Sequence, residues 1–302
     1  RGQLLSIYMF ITLIGLSVGT LLLNFSNPIK YEPFILISLL LSLALIPILL
    51  TKRKAPKFKK LGYIDVKGLY KTSPLGTISM FCTGIIHSAL FSLGAVYAAS
   101  MNFSIFEISL LLFLITVSGG IFQWPIGYYS DKTDRRVIII FSTFFAAIFS
   151  ILAINASGIS LENMYLATSV GIDKIMFFVY VTLYAGMAIP LFTLNLAYVN
   201  DYIPKEKFVS AGAGMQVIFG LGAMTGPFIC SLLMNKFGTN GFFVHLLFFH
   251  LIIGIFGLYR ITRRTYEDNP DSTFTPLPRN ITPLGIELDP TTGADISSSD
   301  KK

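Results

Sequence analysis

The sequence predicts an all-α, multi-pass transmembrane helical bundle, and three observations support this fold class. Hydrophobic residues make up 53% of the 302 residues and charged residues only 13%, whereas soluble domains carry about 25% charged residues. The mean hydropathy is +0.69. Eight apolar segments approach the roughly 20 residues that a helix needs to cross a bilayer, and none shows the alternating pattern of about ten residues that is typical of a membrane β-barrel.

The eight predicted membrane helices follow one another with short polar connections. They cover residues 3–24, 33–51, 77–99, 106–128, 137–155, 174–199, 208–234 and 240–260. Gly, Ser, Thr and Pro occur inside several of them, which membrane helices tolerate because neighbouring helices satisfy the freed backbone groups. After residue 261 the chain becomes polar and rich in Pro, Thr, Ser and Asp, so residues 262–302 are predicted to form a tail without regular helices.

The basic residues predict the orientation of the bundle. Eight of them lie in one loop between apolar segments, at Lys52, Arg53, Lys54, Lys57, Lys59, Lys60, Lys67 and Lys71. With this loop inside the cell, sixteen Lys and Arg residues fall on the inner side and three on the outer side, as the positive-inside rule requires. We therefore expect a protein of the cell inner or plasma membrane with a cytoplasmic C-terminus. We expect the basic residues behind its net charge of +7 to contact lipid head groups and not nucleic acid.

The sequence shows no cluster of residues that would indicate a catalytic or metal-binding site. The only cysteines, Cys82 and Cys230, lie in separate apolar segments, and none of the sixteen acidic residues lies in the middle of a membrane segment. A membrane enzyme that acts on lipid needs His, Asp, Glu or Cys clustered near the interface. We therefore predict that the chain is not an enzyme and uses no metal or cofactor.

A short internal similarity suggests a repeated architecture. Gly15 and Gly19 in the first segment have the same spacing of small residues as Gly222 and Gly226 in the seventh. Transporters are often built from repeated halves, and pairing the first segment with the seventh leaves the third to sixth segments without partners. On this argument, about four helices, roughly 130 residues, are expected to precede residue 1. All four glycines are predicted to pack closely against other helices.

The loop between the fourth and fifth segments is the strongest functional candidate. A carboxylate at a helix end followed by three cations can bridge neighbouring helices and release them when that end opens. The residues of this predicted conformational gate are Gly127, Asp131, Lys132, Arg135 and Arg136. The alternative is a short basic loop that reflects topology alone. Asn200 and Asp201, at the end of the sixth segment, either extend this gate or form a plain helix-end turn.

These residues resemble a known family. The pattern from Gly127 to Arg136 resembles the loop signature of the major facilitator superfamily, except that Asp134 stands where the family usually has Gly. The preceding Gln123-Trp-Pro-Ile-Gly127 is similar to its YcaD-type branch, as are Ala197–Tyr202, Gly220–Pro227 and the tail motifs Phe274–Arg279 and Glu287–Pro290. The resemblance implies that about eight of twelve helices are present and that the chain begins near the family's fifth helix.

The resemblance also implies a domain organisation. Residues 1–51 would be the last two helices of an N-terminal bundle, 52–76 a basic cytoplasmic central loop, 77–261 a C-terminal six-helix bundle and 262–302 a cytoplasmic tail. The implied function is transport of a small solute by alternating access of the rocker-switch kind. The bilayer, a small-molecule substrate and a coupling ion such as a proton are the implied partners. A membrane sensor or scaffold that has kept the fold without transporting is the alternative.

Helix bending and substrate binding are assigned to further residues. Pro227 lacks a backbone donor and predicts a bend next to Gly226, while Gly186 with Pro190 predicts a kink in the sixth segment. Polar residues at membrane depth are candidates for the substrate site. These candidates are His87, Asn195 and Gln216, with hydrogen bonding between helices as the alternative role. His245 and His250 are expected to have packing roles.

Overall fold

A computed structural model describes residues 2–25, 30–50, 66–157, 173–263 and 273–277, and this part of the chain consists of helices joined by short connections. The helices are α1 (Gly2–Leu21, extended by a 3-10 turn at Leu22–Phe25), α2 (Glu32–Leu50), α3 (Val66–Thr72), α4 (Pro74–Ser100), α5 (Ile105–Ser130), α6 (Arg135–Ala156), α7 (Lys174–Ala188), α8 (Leu191–Asn200), α9 (Phe208–Phe237) and α10 (Gly241–Ile261). A 3-10 turn, Lys205–Lys207, precedes α9.

Each predicted membrane segment coincides with a helix or, in one case, with a pair of helices. Seven helical spans in the described residues are long and apolar enough to cross a bilayer, counting α7 and α8 as one span, and the first helix contributes a shorter apolar stretch, Phe10–Phe25. The described ranges contain no β-strand. The predicted all-α, multi-pass bundle is therefore confirmed.

Local chemistry sets several helix starts. Ser104 and Glu107 form a reciprocal capping box at the start of α5, in which each side chain accepts a hydrogen bond from the other residue's backbone N–H. Asp134 caps α6 by accepting from the Arg136 N–H, and Asp173 caps α7 by accepting from the Met176 N–H. Such caps satisfy backbone donors that a helix leaves unpaired in its first turn.

Helices α4 to α10 pack into one bundle. The most extensive interface joins α4 and α9; α10 packs on α4, α6 and α9, and α7 lies against α5 and α6. α1 packs on α5, where Asn24 Nδ2 donates to Ser109 Oγ at 2.7 Å. None of the described side chains of α2 is buried.

The outer surface of the bundle is apolar, as expected for a protein solvated by lipid. Trp124 on α5 is 80% exposed and Phe228 on α9 is 69% exposed. Large apolar patches of this kind are rare on soluble monomers. The exposed surface and the membrane-length helices together describe a multi-pass membrane protein.

The two ends of the bundle are distinguished by their loops. At one end, the chain passes from α5 to α6 through Asp131; at the other end, the start of α5 lies near the start of α7, and Glu107 Oε1 lies 2.5 Å from Lys174 Nζ. We refer to them as the Asp131 end and the Glu107 end. The short helix α3 lies at the Asp131 end, within the segment that the sequence predicted to be a loop, and residues 52–65 of that segment lie outside the described residues.

A candidate conformational gate at the Asp131 end

A tight connection positions the predicted gate residues. Asp131 follows the last residue of α5 and its backbone N–H donates to the Gly127 carbonyl, which closes the helix. Asp134 caps α6 three residues later, so that Arg135 and Arg136 occupy the first turn of α6. The connection therefore brings one carboxylate from α5 next to two guanidinium groups on α6.

Arg135 links three helices. Its Nη2 atom lies 2.7 Å from Asp131 Oδ1, and its Nη1 atom donates to Asp201 Oδ1 at the end of α8. Nη1 also lies 3.4 Å from the Ala197 carbonyl oxygen on α8. We call Asp131, Arg135 and Asp201 the charge cluster. One guanidinium thus connects the ends of α5 and α8 to the start of α6.

The members of the charge cluster differ in their access to water. The side chains of Arg135 and Asp201 are 4% and 1% exposed, whereas that of Asp131 is 35% exposed. Removing two charges from water is costly, and the cost is offset only by close pairing with further hydrogen bonds. The Arg135–Asp201 pair is therefore the buried anchor, and Asp131 is the partner that water can replace.

Arg136 and Lys132 contact residues close to them in the chain. Arg136 forms a double contact with Asp134, with Nε 3.0 Å from each carboxylate oxygen and Nη2 2.6 Å from Oδ2. Lys132 Nζ contacts the Tyr128 hydroxyl and lies 4.0 Å from the centre of that ring. Arg135 bridges to α8 through Asp201. Asn200 is the last residue of α8 and is 9% exposed, next to Asp201.

Gly127 lies where Phe274, a described residue of the tail, packs against α5. A Cβ atom at this position would be 2.6 Å from Cε1 of Phe274, so a side chain would collide with that ring. The Phe274 backbone N–H donates to Asp131 Oδ1 at 2.7 Å. The sequence predicted neither contact, because it indicated only a polar cytoplasmic tail without regular helices.

The glycines predicted to pack divide into two groups. A Cβ atom at Gly222 would overlap the Phe81 carbonyl oxygen of α4, and one at Gly226 would overlap the Ile85 carbonyl oxygen. A Cβ atom at Gly84 on α4 would likewise overlap the Phe219 carbonyl oxygen of α9. By contrast, a Cβ atom at Gly15 or Gly19 would meet no described atom within 4 Å, so their packing role stays a prediction.

We refer to Gly84, Gly222 and Gly226 with their opposing backbone as the glycine seam of α4 and α9. Gly84 was not among the glycines predicted to pack, although its spacing from Ser88 is the same small-residue signal that singled out the seventh segment. Pro227 lies inside α9, which continues as one helix from Phe208 to Phe237.

The kink predicted at Gly186 and Pro190 falls at the break between α7 and α8. The helix α7 ends at Ala188, and α8 begins at Leu191. A Cβ atom at Gly186 would be 2.7 Å from the ring of Phe122 on α5. His87 Nε2 lies 3.0 Å from the Ala188 carbonyl oxygen. Since a carbonyl only accepts, Nε2 carries the proton, and His87 supports the helix break.

The other two substrate candidates differ in exposure. Asn195 is fully buried, and its Nδ2 donates to Thr83 Oγ1 on α4 at 3.1 Å. Gln216 on α9 is half-buried.

A chain of hydrogen bonds that the sequence did not predict links α5 to the tail. It runs from Gln123 Nε2 to Thr193 Oγ1, at 2.8 Å, and on to the Leu277 carbonyl oxygen, at 3.4 Å. His250 Nε2 lies 3.1 Å from the Tyr184 hydroxyl, and both side chains are buried.

Comparisons with known proteins agree with this architecture. The profile described as Major Facilitator Superfamily (MFS) matches residues 1–194. An uncharacterized MFS-type transporter of Yersinia enterocolitica, YE1530, is 25% identical over 246 residues, which cover 81% of this chain and 60% of that protein. The uncharacterized MFS-type transporter YcaD of Escherichia fergusonii is 20% identical over the same shares.

The chain therefore spans 60% of the length of these curated relatives. No solved structure matches it. The predicted resemblance to the major facilitator superfamily is confirmed, because the matching profile covers more than half of the residues. The chain belongs to the Major Facilitator Superfamily, a family of membrane transporters.

Proposed function

We propose that this chain moves a small solute across a bilayer by alternating access, and that the charge cluster holds the Asp131 end closed in one of the two states. The observation that carries the proposal is the position of Arg135, which bridges a carboxylate on α5 and another on α8. A bundle that only has to stay folded has no need of buried charges, since well-packed apolar residues are often at least as stabilising.

The different exposure of the two carboxylates supports a reversible contact. Asp131 is 35% exposed, so water can solvate its carboxylate when α5 moves away from α8. Arg135 then keeps Asp201 as its partner and is not left as an isolated buried charge. Ion pairs that are partly exposed contribute about 1 kcal/mol or less, which a differential affinity for substrate can overcome.

The Asp131 end is proposed to face the cytoplasm, with the C-terminus on the same side of a cell inner or plasma membrane. Support comes from the basic residues, because cytoplasmic connections carry an excess of Lys and Arg. The described ones in or beside the connections at this end are Lys67, Lys71, Lys132, Arg135, Arg136, Lys205, Lys207, Arg260 and Arg263. Thr133→Cys and Ser100→Cys place one thiol at each end on exposed positions. An impermeant maleimide added to intact cells is expected to label the Ser100→Cys variant, and to label the Thr133→Cys variant only after permeabilisation; the reverse pattern would contradict this orientation.

The substrate is proposed to contact Gln216, which is the most accessible of the three membrane-depth candidates. His87 and Asn195 already have hydrogen-bond partners on other helices, so we propose that they shape the site and hold α4 against α7 and α8. A coupling proton would need a titratable group within the membrane, and His87 and His250 are described residues that provide one.

The gate is tested by comparing Asp131→Asn with Glu107→Gln, its matched control. Both changes remove one carboxylate from a partly exposed ion pair, at opposite ends of the bundle. In the full-length chain in nanodiscs, Asp131→Asn is expected to speed amide hydrogen exchange at 131–136 and 197–203 about fivefold, since about 1 kcal/mol is lost. Glu107→Gln should leave these segments unchanged.

Uptake into liposomes, screened with a panel of radiolabelled small solutes, then links this opening to transport. Asp131→Asn is expected to impair uptake while the amount of inserted protein stays the same. Unchanged exchange and unchanged uptake in this variant would rule out a gate at Asp131.

A further inference from the structure

A short piece of the tail is seated on the bundle. Residues 273–277 cross the Asp131 end, where the Phe274 N–H donates to Asp131 Oδ1 at 2.7 Å and the Phe274 ring lies against Gly127. Phe274 also packs against the main apolar core, to which α4 to α10 all contribute residues. Gly127 leaves room for this ring, because any side chain there would collide with it.

The other end of the same segment is anchored on α8. The Thr193 hydroxyl lies 3.4 Å from the Leu277 carbonyl oxygen and in turn accepts from Gln123 Nε2 at 2.8 Å. The Leu277 side chain is only 3% exposed. It belongs to a second apolar cluster with Phe192 and Leu196 of α8 and with residues of α4 and α9. The segment thus spans from α5 to α8 and joins two separate apolar clusters.

The sequence of the segment suits an extended peptide in a groove. Pro276 restricts Thr275 to extended conformations, and residues 273–277 form no helix. Two of its backbone groups, the Phe274 N–H and the Leu277 carbonyl, contact polar side chains of the bundle, while Phe274 and Leu277 supply apolar side chains. The combination of backbone hydrogen bonds with pockets for apolar side chains is a common mode of peptide recognition.

We propose that residues 273–277 are a strap that docks in the groove between α5 and α8 and must leave before the Asp131 end can open. The consequence for opening rests on the proposed transport function, whereas the docking itself does not. One atom couples the strap to the gate, because Asp131 Oδ1 accepts from both Arg135 Nη2 and the Phe274 N–H, each at 2.7 Å. A movement of α5 that breaks one of these bonds weakens the other.

Docking is tested by thiol accessibility in the full-length chain. Leu277→Cys places a thiol at the buried end of the strap, and Thr273→Cys places its matched control at the exposed end. Cys82 and Cys230 are buried and free, and the parent chain measures their background. In detergent, a soluble maleimide is expected to label the Leu277→Cys thiol at least tenfold more slowly than the Thr273→Cys thiol. Equal rates would overturn the proposal, as would protection of the Leu277→Cys thiol that is confined to oligomeric fractions.

The α5 side of the groove is tested by adding Gly127→Val to each thiol variant. The new side chain would occupy the position of the Phe274 ring, so labelling of the Leu277→Cys thiol should accelerate at least fivefold while labelling of the Thr273→Cys thiol stays constant. An unchanged rate for the Leu277→Cys thiol would show that α5 does not hold the strap. Neither measurement needs a substrate. The proposal of a docked strap and the proposal of transport can therefore be disproved independently of each other.

Discussion

The glycine seam of α4 and α9 and the charge cluster at the Asp131 end both tie helices together, but by different physics. In the seam, Gly84, Gly222 and Gly226 face backbone atoms directly, so the contact depends on shape and is lost after a small displacement. In the charge cluster, Arg135 holds carboxylates of unequal exposure, and one of them can exchange its partner for water. The seam is therefore suited to hold two helices as a rigid pair, and the cluster to make and break a contact.

The largest expected effect comes from removing the shared cation. Arg135→Met leaves the Asp201 carboxylate buried without its guanidinium, which costs about 3–5 kcal/mol. The apparent Tm of the purified chain should fall accordingly. The double variant Arg135→Met with Asp201→Leu removes the buried charge as well and should recover most of the loss. A single variant no less stable than the double variant would show that the pair is not desolvated.

A side chain added to the glycine seam should lower the stability by a smaller amount, because it overpacks the interface between α4 and α9. Gly222→Leu forces a side chain into the Phe81 carbonyl of α4, and such insertions cost about 1–3 kcal/mol. Gly220→Leu is the matched control, because a Cβ atom there meets nothing within 4 Å. Thermal unfolding of both variants, followed by size-exclusion chromatography, checks the difference. Equal losses would mean that α4 and α9 are not in backbone contact.

The smallest expected effect concerns a single polar link between the seam helix α4 and the break between α7 and α8. His87→Leu removes the donor to the Ala188 carbonyl, and one hydrogen bond contributes about 1 kcal/mol. Amide exchange at 186–192 should accelerate about fivefold, with little change at the charge cluster. If exchange there is unchanged and solute uptake alone falls, His87 belongs to the substrate site instead.

Much of the fold could be predicted because membrane insertion is decided locally. Each apolar segment has a transfer free energy that depends on its own residues, and the helices fall where the hydropathy placed them. The first and last residues of the helices were less predictable. The helix α4 begins at Pro74, before the predicted segment, and α3 occupies part of the predicted loop. A short helix such as α3 depends on the contacts that it makes with α4 and α9.

The candidate site was predictable in its residues but not in its pairings. The spacing of charges singled out Asp131, Arg135, Arg136 and Asp201, yet it gave no reason why Arg135 reaches α8 while Arg136 turns back to Asp134. The tail shows the same limit. Its polar composition predicted a cytoplasmic tail without regular helices, and composition does not show that Leu277 finds a buried position beside α8.

The sequence by itself therefore determined that this chain is a multi-pass membrane protein of the Major Facilitator Superfamily and where its helices run. Only the tertiary structure decided that Arg135 and Asp201, 66 residues apart in the chain, share a buried contact, and that residues 273–277 lie across α5. The physical reason is that helix formation in lipid depends on neighbouring residues, whereas a charge pair or a docked peptide depends on distances that arise only after the helices have packed.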